Sequence, residues 1–421
     1  MIVLAGGDLI LPGRVVTGGS LVVEGDRIVD VGAPGGIRAG AGVVDVSGHY
    51  VVPGFVDVHV HGILGHDTLD AGGAVTAMAA VLPRYGVTAF CPTSVACGPA
   101  TLRRFLAAVR GARRAAQSGA RVLRAHLESN FINPDYRGAQ PSACLRVPPR
   151  LDTGRGAALP AGPGGRDAVF AGVAGAEPDD TGDGAFTGDD VLAAIAAHPE
   201  EVGIVTVAPE LPGGLELVRW LTARGHHASI GHTGADFEQA SAAFDAGAAR
   251  ATHLFNRMPP LGHRAPGAAG AVLAREDVSA ELICDGYHVH PSIARLAIHA
   301  KGPGRVMAIT DGTAGSGLAV GSRARLGGRP IRVGDEAAVL DDGTLAGSTL
   351  TMDRVFRTLV HAFGVPIADA ATMCATTPAR SLGLADAGAI VEGAAADLTV
   401  LDRGLRVRRT FIGGRQVYPA P

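Results

Sequence analysis

The sequence predicts an α/β fold in which a TIM-like (β/α)8 barrel is joined to a small β-sandwich domain built from both chain ends. Along the middle of the chain, short β-branched runs alternate with Ala-, Leu- and Arg-rich helical stretches eight times. Such a count is typical of a closed barrel rather than an open sheet. Glycine-punctuated, alternating hydrophobic runs occupy both ends. We therefore expect a β part at 1–50, the barrel at 51–384 and a second β part at 385–421.

Both chain ends have the sequence pattern of short strands. Residues 1–7, 18–32 and 42–52 alternate hydrophobic and polar side chains between Gly-Asp turns, and residues 396–418 repeat this pattern. Period-two alternation broken by glycine is typical of half-buried strands. We expect the two ends to pack together as one small domain.

The eight predicted barrel strands are 55–60, 87–93, 122–128, 202–208, 227–232, 249–255, 279–285 and 305–311. Helices are predicted between and after them, for example at 100–117, 235–247, 352–363 and 366–382. Residues 145–185 interrupt this rhythm with Gly, Pro and Asp and show no steady periodicity. A loop of this length is usually functional or disordered, so a lid or crossing loop and plain disorder both remain open.

Composition excludes several classes of protein. Hydrophobic residues make up 47% and charged residues 18%, enough for a large core. A net charge of −3 without a basic stripe makes nucleic acid and acidic membranes poor partners. The cysteines form no CxxC pair, and neither a signal peptide nor a membrane-length apolar stretch is evident. We expect a cytoplasmic protein in a reducing compartment.

The stretch VVPGFVDVHVHG, residues 51–62, is the first chemical signal. Asp57, His59 and His61 alternate with three valines, so an extended segment presents one carboxylate and two imidazoles on a single face. A polar face of this kind is costly to bury unless something binds it. Asp57 is expected either to orient a ligand imidazole or to make a structural hydrogen bond.

The ends of the predicted strands supply further metal-ligand types. Side chains at the C-terminal ends of barrel strands converge on one rim, and six N or O donors lie there: His59, His61, Glu128, His232, His253 and Asp311. Their convergence predicts a metal site, and a set without thiolates suits zinc or another borderline divalent ion. His126 shares a strand face with Glu128, where it either supports the site or packs in the core.

Position separates the remaining histidines from this set. His226 and His227 begin strand five, at the opposite end of the barrel, which predicts structural roles. His299 and His361 lie in helical stretches, where outward-facing or packing roles are expected.

The motifs PGFVDVHVHG, AHLE, GHT, ATHLFN, DGYHVHP, ITDG and GTLAGSTLTMDR together resemble the amidohydrolase superfamily, and within it the N-acetylglucosamine-6-phosphate deacetylase family. The resemblance runs from about residue 43 to the end, apart from 145–185. It implies that Glu128, His232, His253 and Asp311 hold one metal, with His59 and His61 available for a second. Zinc is the expected ion and iron the alternative. The resemblance also implies an amino-sugar substrate, Asp311 as catalytic acid–base, and a homodimer.

Lysine scarcity bears on how two metals would be bridged. Many related binuclear hydrolases use a carboxylated lysine on strand four, but the only lysine here is Lys301, in a predicted helix before strand eight. Glu128 is therefore the candidate bridging ligand. This argues against a cyclic-imide hydrolase.

Substrate contacts follow from the resemblance, with two departures. Arg264, in the loop after strand six, is expected to contact the sugar phosphate, in some relatives from a neighbouring subunit; Asn256 and His288 are further candidates. Where the family has Gly-Pro and a carbonyl-polarising histidine, this chain has Ser129-Asn130 and Gln140. A glutamine amide can still donate a hydrogen bond. Two alternatives therefore stay open: a deacetylase of another, non-phosphorylated amino sugar or N-acyl amino acid, and an inactive barrel scaffold.

Overall fold

The computed structural model describes residues 1–32, 42–115, 119–151 and 184–420. Its strands up to the middle of the chain are β1 Ile2–Leu11, β2 Arg14–Glu24, β3 Arg27–Gly32, β4 Gly42–Asp45, β5 Tyr50–Pro53, β6 Phe55–Val60, β7 Gly62–Ile63, β8 His66–Asp67, β9 Val87–Ser94, β10 Arg121–Val122 and β11 Ala125–Leu127. The later strands are β12 Val202–Val207, β13 His227–Ile230, β14 Arg250–Ala251, β15 Ser279–Ile283, β16 Val306–Ile309, β17 Arg323–Leu326, β18 Arg329–Val333, β19 Ala337–Val339, β20 Leu345–Ser348, β21 Leu398–Leu401, β22 Val407–Ile412 and β23 Arg415–Tyr418.

The α-helices of the described residues are α1 Ala74–Val81, α2 Pro99–Arg114, α3 Gly188–Ala196, α4 Gly214–Ala223, α5 Phe237–Asp245, α6 Gly267–Ala274, α7 Pro291–Lys301, α8 Met352–Arg357, α9 Ile367–Ala371 and α10 Thr377–Ser381. α8 continues into a π-helical turn, Thr358–Ala362, and a second such turn, Thr372–Thr376, joins α9 to α10. Helices predicted at 100–117, 235–247, 352–363 and 366–382 thus correspond to observed helical segments. No helix among the described residues is both long and apolar enough to cross a membrane.

The two chain ends form one sheet of eight strands, ordered β23-β22-β21-β5-β1-β2-β3, with β4 also paired to β1. β5 and β21 join the ends in antiparallel register, with Tyr50 opposite Leu401 and Pro53 opposite Leu398. A separate apolar cluster, which includes Leu4, Leu21 and Phe411, packs on this sheet. The prediction that the two ends pack together is confirmed; the exact domain boundaries at 50 and 384 stay predictions.

The barrel wall contains eight parallel strands, in the order β6, β9, β10 with β11, β12, β13, β14, β15 and β16. β10 and β11 are successive parts of one wall strand, since both pair with β9. The ring closes between its first and last strands, where Asp311 N donates to His59 O (3.0 Å) and His61 N donates to Gly312 O (2.7 Å). Each wall strand falls within or next to one of the eight predicted runs, so the predicted (β/α)8 barrel is confirmed.

Residues 323–348 hold a four-stranded antiparallel sheet, β17 to β20, that the sequence analysis does not predict. Its strands are short and partly exposed, so they lack the apolar runs that mark the barrel. Ser348, at the end of β20, donates from its N to Asp311 O (2.8 Å), and its carbonyl accepts from Thr313 N (3.2 Å). This sheet therefore braces the loop that carries Asp311.

Of the predicted insertion at 145–185, residues 152–183 lie outside the described residues. The lid prediction for that segment therefore stays a prediction. The residues that precede it are tied to the barrel, because Arg146 N donates to Asn130 O (2.8 Å).

Candidate metal and substrate site

Six side chains meet at the C-terminal rim of the barrel: His59, His61, Glu128, His232, His253 and Asp311, called here the ligand cluster. Each stands at the end of a wall strand or one or two residues beyond it, where side chains of neighbouring parallel strands converge. None has more than 8% of its surface exposed. The structure therefore brings together the six residues that the sequence analysis places at this rim, and their role as metal ligands stays a prediction.

The backbone at three of these positions is unusual. His232, His253 and Asp311 have positive φ angles of 48°, 27° and 47°. Non-glycine residues rarely adopt this region, and such strain concentrates at functional sites. The backbone turns at these three positions, and their side chains meet the rest of the cluster at the barrel mouth.

Glu128 lies between two pairs of histidines. Its Oε1 is 2.9 Å from His232 Nε2 and 2.8 Å from His253 Nε2. Its Oε2 is 3.3 Å from His61 Nε2, and Oε1 is 3.7 Å from His59 Nε2. One carboxylate therefore reaches both pairs, as the sequence analysis expects of a bridging ligand.

Asp311 lies against the pair formed by His59 and His61. Its Oδ1 is 3.3 Å from the Nε2 atom of each ring. No contact within 4.0 Å joins Asp311 to His232 or His253 among the described ion pairs. The resemblance groups Asp311 with those two histidines, whereas the structure puts it beside the other pair.

Hydrogen bonds on the far side of two rings fix which of their nitrogens faces the cluster. His232 Nδ1 donates to the Tyr136 carbonyl (2.8 Å), and His59 Nδ1 donates to Glu281 Oε2 (3.0 Å). In the neutral rings, each Nε2 then presents a lone pair. Those lone pairs face other imidazole nitrogens at 3.0 Å and 3.2 Å and the oxygens of Glu128. Acceptors set against acceptors in this way are suited to a cation bound between them.

The spacing and the electrostatics fit a divalent metal. A tetrahedral zinc ion bound at about 2.0–2.1 Å holds its ligand atoms roughly 3.3 Å apart, and the closest donor separations here are 2.8–3.3 Å. Although burial opposes its charged form, hydrogen bonds that the His61 ring donates to Asp311 and Glu128 raise its pKa to about 10. The cluster therefore favours positive charge at its centre.

Glu281, which the sequence analysis misses, supports the cluster from β15. It is fully buried, and its contact with His59 Nδ1 orients that ring and fixes its tautomer. Burial opposes the ionised form, but neighbouring His126 and His59 hold the pKa of Glu281 below its ordinary value. The available signal is its position: a carboxylate inside the otherwise uncharged strand SAELI.

Asp57 and His126 turn out to have structural partners. Asp57 accepts from His59 N (3.2 Å) and from Thr310 Oγ1 (2.6 Å), so it braces the first and last wall strands and touches no ligand imidazole. His126 contacts Val58 O (3.1 Å) and Thr206 Oγ1 (2.9 Å), and burial lowers its pKa to about 3. Asp57 therefore makes structural hydrogen bonds, whereas His126 is buried with its ring edge-to-face against the ring of His59, 4.5 Å between centroids.

A cavity of about 450 Å³ opens over the cluster, within the range of small-molecule sites. Gln140 is buried in its wall with a fixed amide orientation, because Oε1 accepts from Ala96 N (2.7 Å) and Nε2 donates to Glu128 Oε2. Its N–H groups therefore face the cluster. The amide occupies the position where the resemblance expects a donor.

Of the other predicted substrate contacts, Asn256 and His288 line the cavity and Arg264 does not. His288 Nδ1 donates to Asp285 Oδ2 (2.6 Å). Burial opposes the charged ring, yet Asp285 raises the pKa of His288. Arg264 is exposed on the loop after β14, so its contact with substrate stays a prediction. A different arginine of that loop, Arg257, lines the cavity instead.

Ser129 and Asn130, which replace the Gly-Pro of the resembled family, support the backbone of the barrel. Ser129 Oγ donates to Thr206 O (2.5 Å), and Asn130 Nδ2 donates to Cys97 O (2.8 Å) and Cys144 O (2.7 Å). Both residues are buried and neither lines the cavity. They fix the loop that follows Glu128.

The histidines assigned structural roles lie away from the cluster. His226 is buried just before β13, with Nδ1 3.0 Å from Val202 O, and His227 begins that strand. His299 and His361 are exposed on helical segments.

A barrel with imidazoles and carboxylates gathered at its rim is typical of metal-dependent hydrolases. Consistent with that class, residues 218–417 match the model of the Amidohydrolase family. The chain is similar to the N-acetylglucosamine-6-phosphate deacetylase of Bacillus subtilis, with 33% identity over 377 residues that cover 87% of this chain and 84% of that protein. Identity to the same enzyme of Rattus norvegicus is 34% over 428 residues, covering 97% and 94%.

Similar solved structures include deacetylases of the same kind. A mutant of the Mycobacterium smegmatis N-acetyl-D-glucosamine-6-phosphate deacetylase, in complex with N-acetyl-D-glucosamine-6-phosphate, matches with a TM-score of 0.82, 33% identity and 99% coverage of both chains. The chain belongs to the N-acetylglucosamine-6-phosphate deacetylase family of amidohydrolases.

Proposed function

We propose that this chain hydrolyses the acetamide of N-acetylglucosamine 6-phosphate, releasing acetate and glucosamine 6-phosphate. The observation that carries the proposal is the ligand cluster, six residues with N or O donors that include the central Glu128, open to a sugar-sized cavity. The relatives' names support the substrate. The completeness of the cluster argues against an inactive scaffold.

The cofactor is a divalent metal, with zinc as the first proposal and iron as the alternative, in one or two ions per subunit. His232, His253 and Glu128 form one set of donors, and His59 and His61 with Glu128 or Asp311 form the other. A divalent ion bound there supplies Lewis acidity and lowers the pKa of water toward neutrality.

Asp311 is the proposed acid–base residue. Its carboxylate lines the cavity beside His59 and His61, within reach of a water that attacks the acetyl carbon. The carboxylate takes a proton from that water and delivers it to the sugar nitrogen as the C–N bond breaks. The products are acetate and a free amine, so no further reactant is needed.

Gln140 is the proposed hydrogen-bond donor to the acetyl oxygen. Its amide is fixed with the N–H groups toward the cluster, and a preorganised donor stabilises the oxyanion that develops during attack. Asn256 and His288 are proposed contacts to the sugar. Arg264 is proposed to reach the phosphate of a neighbouring subunit's substrate in a homodimer, and the cytoplasm is the proposed compartment.

An acetate-release assay tests the proposal. The purified protein, with its metal content measured, is offered N-acetylglucosamine 6-phosphate, N-acetylglucosamine and an N-acetyl amino acid. We expect turnover with the phosphorylated sugar and far less with the others. Faster release from the neutral sugar or the amino acid supports the alternative substrate, and no release from any of them by metal-loaded protein refutes the function.

A further inference from the structure

The cavity wall contains one arginine and no lysine among the described lining residues, and that arginine is Arg257. It stands on the loop after β14, four residues beyond the ligand His253. Its φ of 52° is positive, as are those of His253 and Phe255 in the same loop. Such a conformation is uncommon for a non-glycine residue and is often found where a side chain must point at a ligand.

Two neighbouring loops fix the position of Arg257. Its carbonyl accepts from Thr233 N (3.1 Å), next to the ligand His232. Its guanidinium lies over Gly138, where a Cβ atom would stand only 2.6 Å from Arg257 Nε. The absence of a side chain at Gly138 therefore makes room for the guanidinium.

The Arg257 side chain makes no hydrogen bond or ion pair with any residue in the described part of the chain. It is half-buried, and burial lowers its pKa with no carboxylate to offset the effect. Buried charges in proteins are normally paired. A half-buried guanidinium that faces a ligand cavity without an acceptor is suited to an anion supplied by the ligand.

We propose that Arg257 binds the anionic group of the substrate, a phosphate ester on the amino sugar, and so sets the preference for phosphorylated over neutral sugars. This rests on the proposed function for its substrate. The planar guanidinium donates two parallel hydrogen bonds to phosphate oxygens, which makes it more selective than a point charge. The contact comes from the same chain that holds the ligand cluster, so it needs no second subunit.

Binding of glucose 6-phosphate tests this independently of catalysis, because that sugar has no amide to hydrolyse. Calorimetry compares it with glucose on the metal-loaded wild type, Arg257→Met, Arg257→Lys and the control Arg295→Met, an exposed arginine of α7. We expect Arg257→Met to weaken glucose 6-phosphate binding roughly 10- to 100-fold, the range for losing a charge-assisted hydrogen bond. Arg257→Lys should lose less, and Arg295→Met should match the wild type.

Kinetics supply the second readout. For N-acetylglucosamine 6-phosphate, Arg257→Met should lower kcat/KM by a similar factor, mainly through KM, because the contact forms in both ground and transition states. With N-acetylglucosamine, which has no phosphate, the variant should lose much less of its kcat/KM. Equal losses with both sugars, unchanged glucose 6-phosphate binding in Arg257→Met, or no binding by the wild type would each overturn the proposal. A wild type that binds glucose 6-phosphate but releases no acetate refutes the deacetylase function and leaves the anion site standing.

Discussion

The ligand cluster and the loop residues around the substrate cavity differ in how firmly the fold holds them. Every member of the cluster stands at or just beyond a wall strand and is at most 8% exposed. Asn256 and Arg257 stand on a loop and are half-buried. Strand ends can hardly move without opening the barrel, whereas loops can change residue by residue. The cluster thus fixes the chemistry, and the loops remain free to set the substrate.

Metal removal should abolish activity, and it is expected to have the largest effect of the changes considered. A chelator leaves lone pairs and carboxylates facing one another, so we expect acetate release to fall to background and the thermal unfolding temperature to drop. A bound ion present at 1,000 times its Kd contributes about 4 kcal/mol to stability. Calorimetry and acetate assays check both effects, and zinc or iron should restore them. Full turnover by protein shown to be metal-free would contradict the assignment.

Asp311→Asn should break the chemistry while sparing the scaffold. The amide cannot accept and return a proton, so we expect kcat to fall roughly 100- to 10,000-fold. Metal content should stay close to wild type, because Glu128 and four histidines remain. Elemental analysis beside steady-state kinetics checks the prediction. A variant that lost its metal in proportion to its activity would make Asp311 a ligand first and a proton carrier second.

The strand-end residues were the predictable part of the site. His59, His61, Glu128, His232, His253 and Asp311 are polar groups at the ends of apolar runs, and a parallel barrel brings all such ends to one rim. Neither the helices nor the loops need to be known for that inference. The fold follows from the same eight runs.

The missed residues carry little local signal. Glu281 contacts His59, which lies 222 positions away in the sequence. A single carboxylate in a strand does not indicate which residue it will contact. Arg257 is one arginine among many, and only the turn after β14 and the glycine at 138 aim it into the cavity. Arg264, chosen by resemblance, lies on the same loop but outside the cavity lining. Loop direction depends on tertiary contacts that a motif does not encode.

Glu281→Gln should weaken metal binding by the cluster, because Glu281 supports the ligand His59 from β15. The amide still fits the space but is a poorer acceptor for His59 Nδ1, and changes to such supporting residues typically cost 10- to 100-fold in metal affinity. Zinc titration against a competing chelator measures the affinity of the variant and of the wild type.

The matched control is Glu201→Gln, at another buried carboxylate, which precedes β12 at the opposite end of the barrel. This change should leave zinc affinity unchanged. Equal affinity in Glu281→Gln and wild type would show that Glu281 does not support the site.

The smallest effect is expected at the end of the barrel far from the cluster, where Arg110 pairs with Glu201. Arg110 Nε and Nη2 donate to the two Glu201 oxygens at 2.7 Å and 3.1 Å, and Arg110 lowers the pKa of Glu201 from its ordinary 4.5. A lowered pKa means that the pair stabilises the fold above pH 4.5 and loses that contribution as Glu201 is protonated below it.

Arg110→Ala should therefore lower the free energy of unfolding slightly at neutral pH and converge with wild type in acid, while kcat/KM is unchanged. Denaturant titrations at both pH values check this, with Arg104→Ala on the same helix as the control, since Arg104 donates to Thr101 and has no carboxylate partner among the described ion pairs. A loss of activity in Arg110→Ala would mean that the two ends of the barrel are coupled and that strand ends do not isolate the chemistry from the rest of the wall.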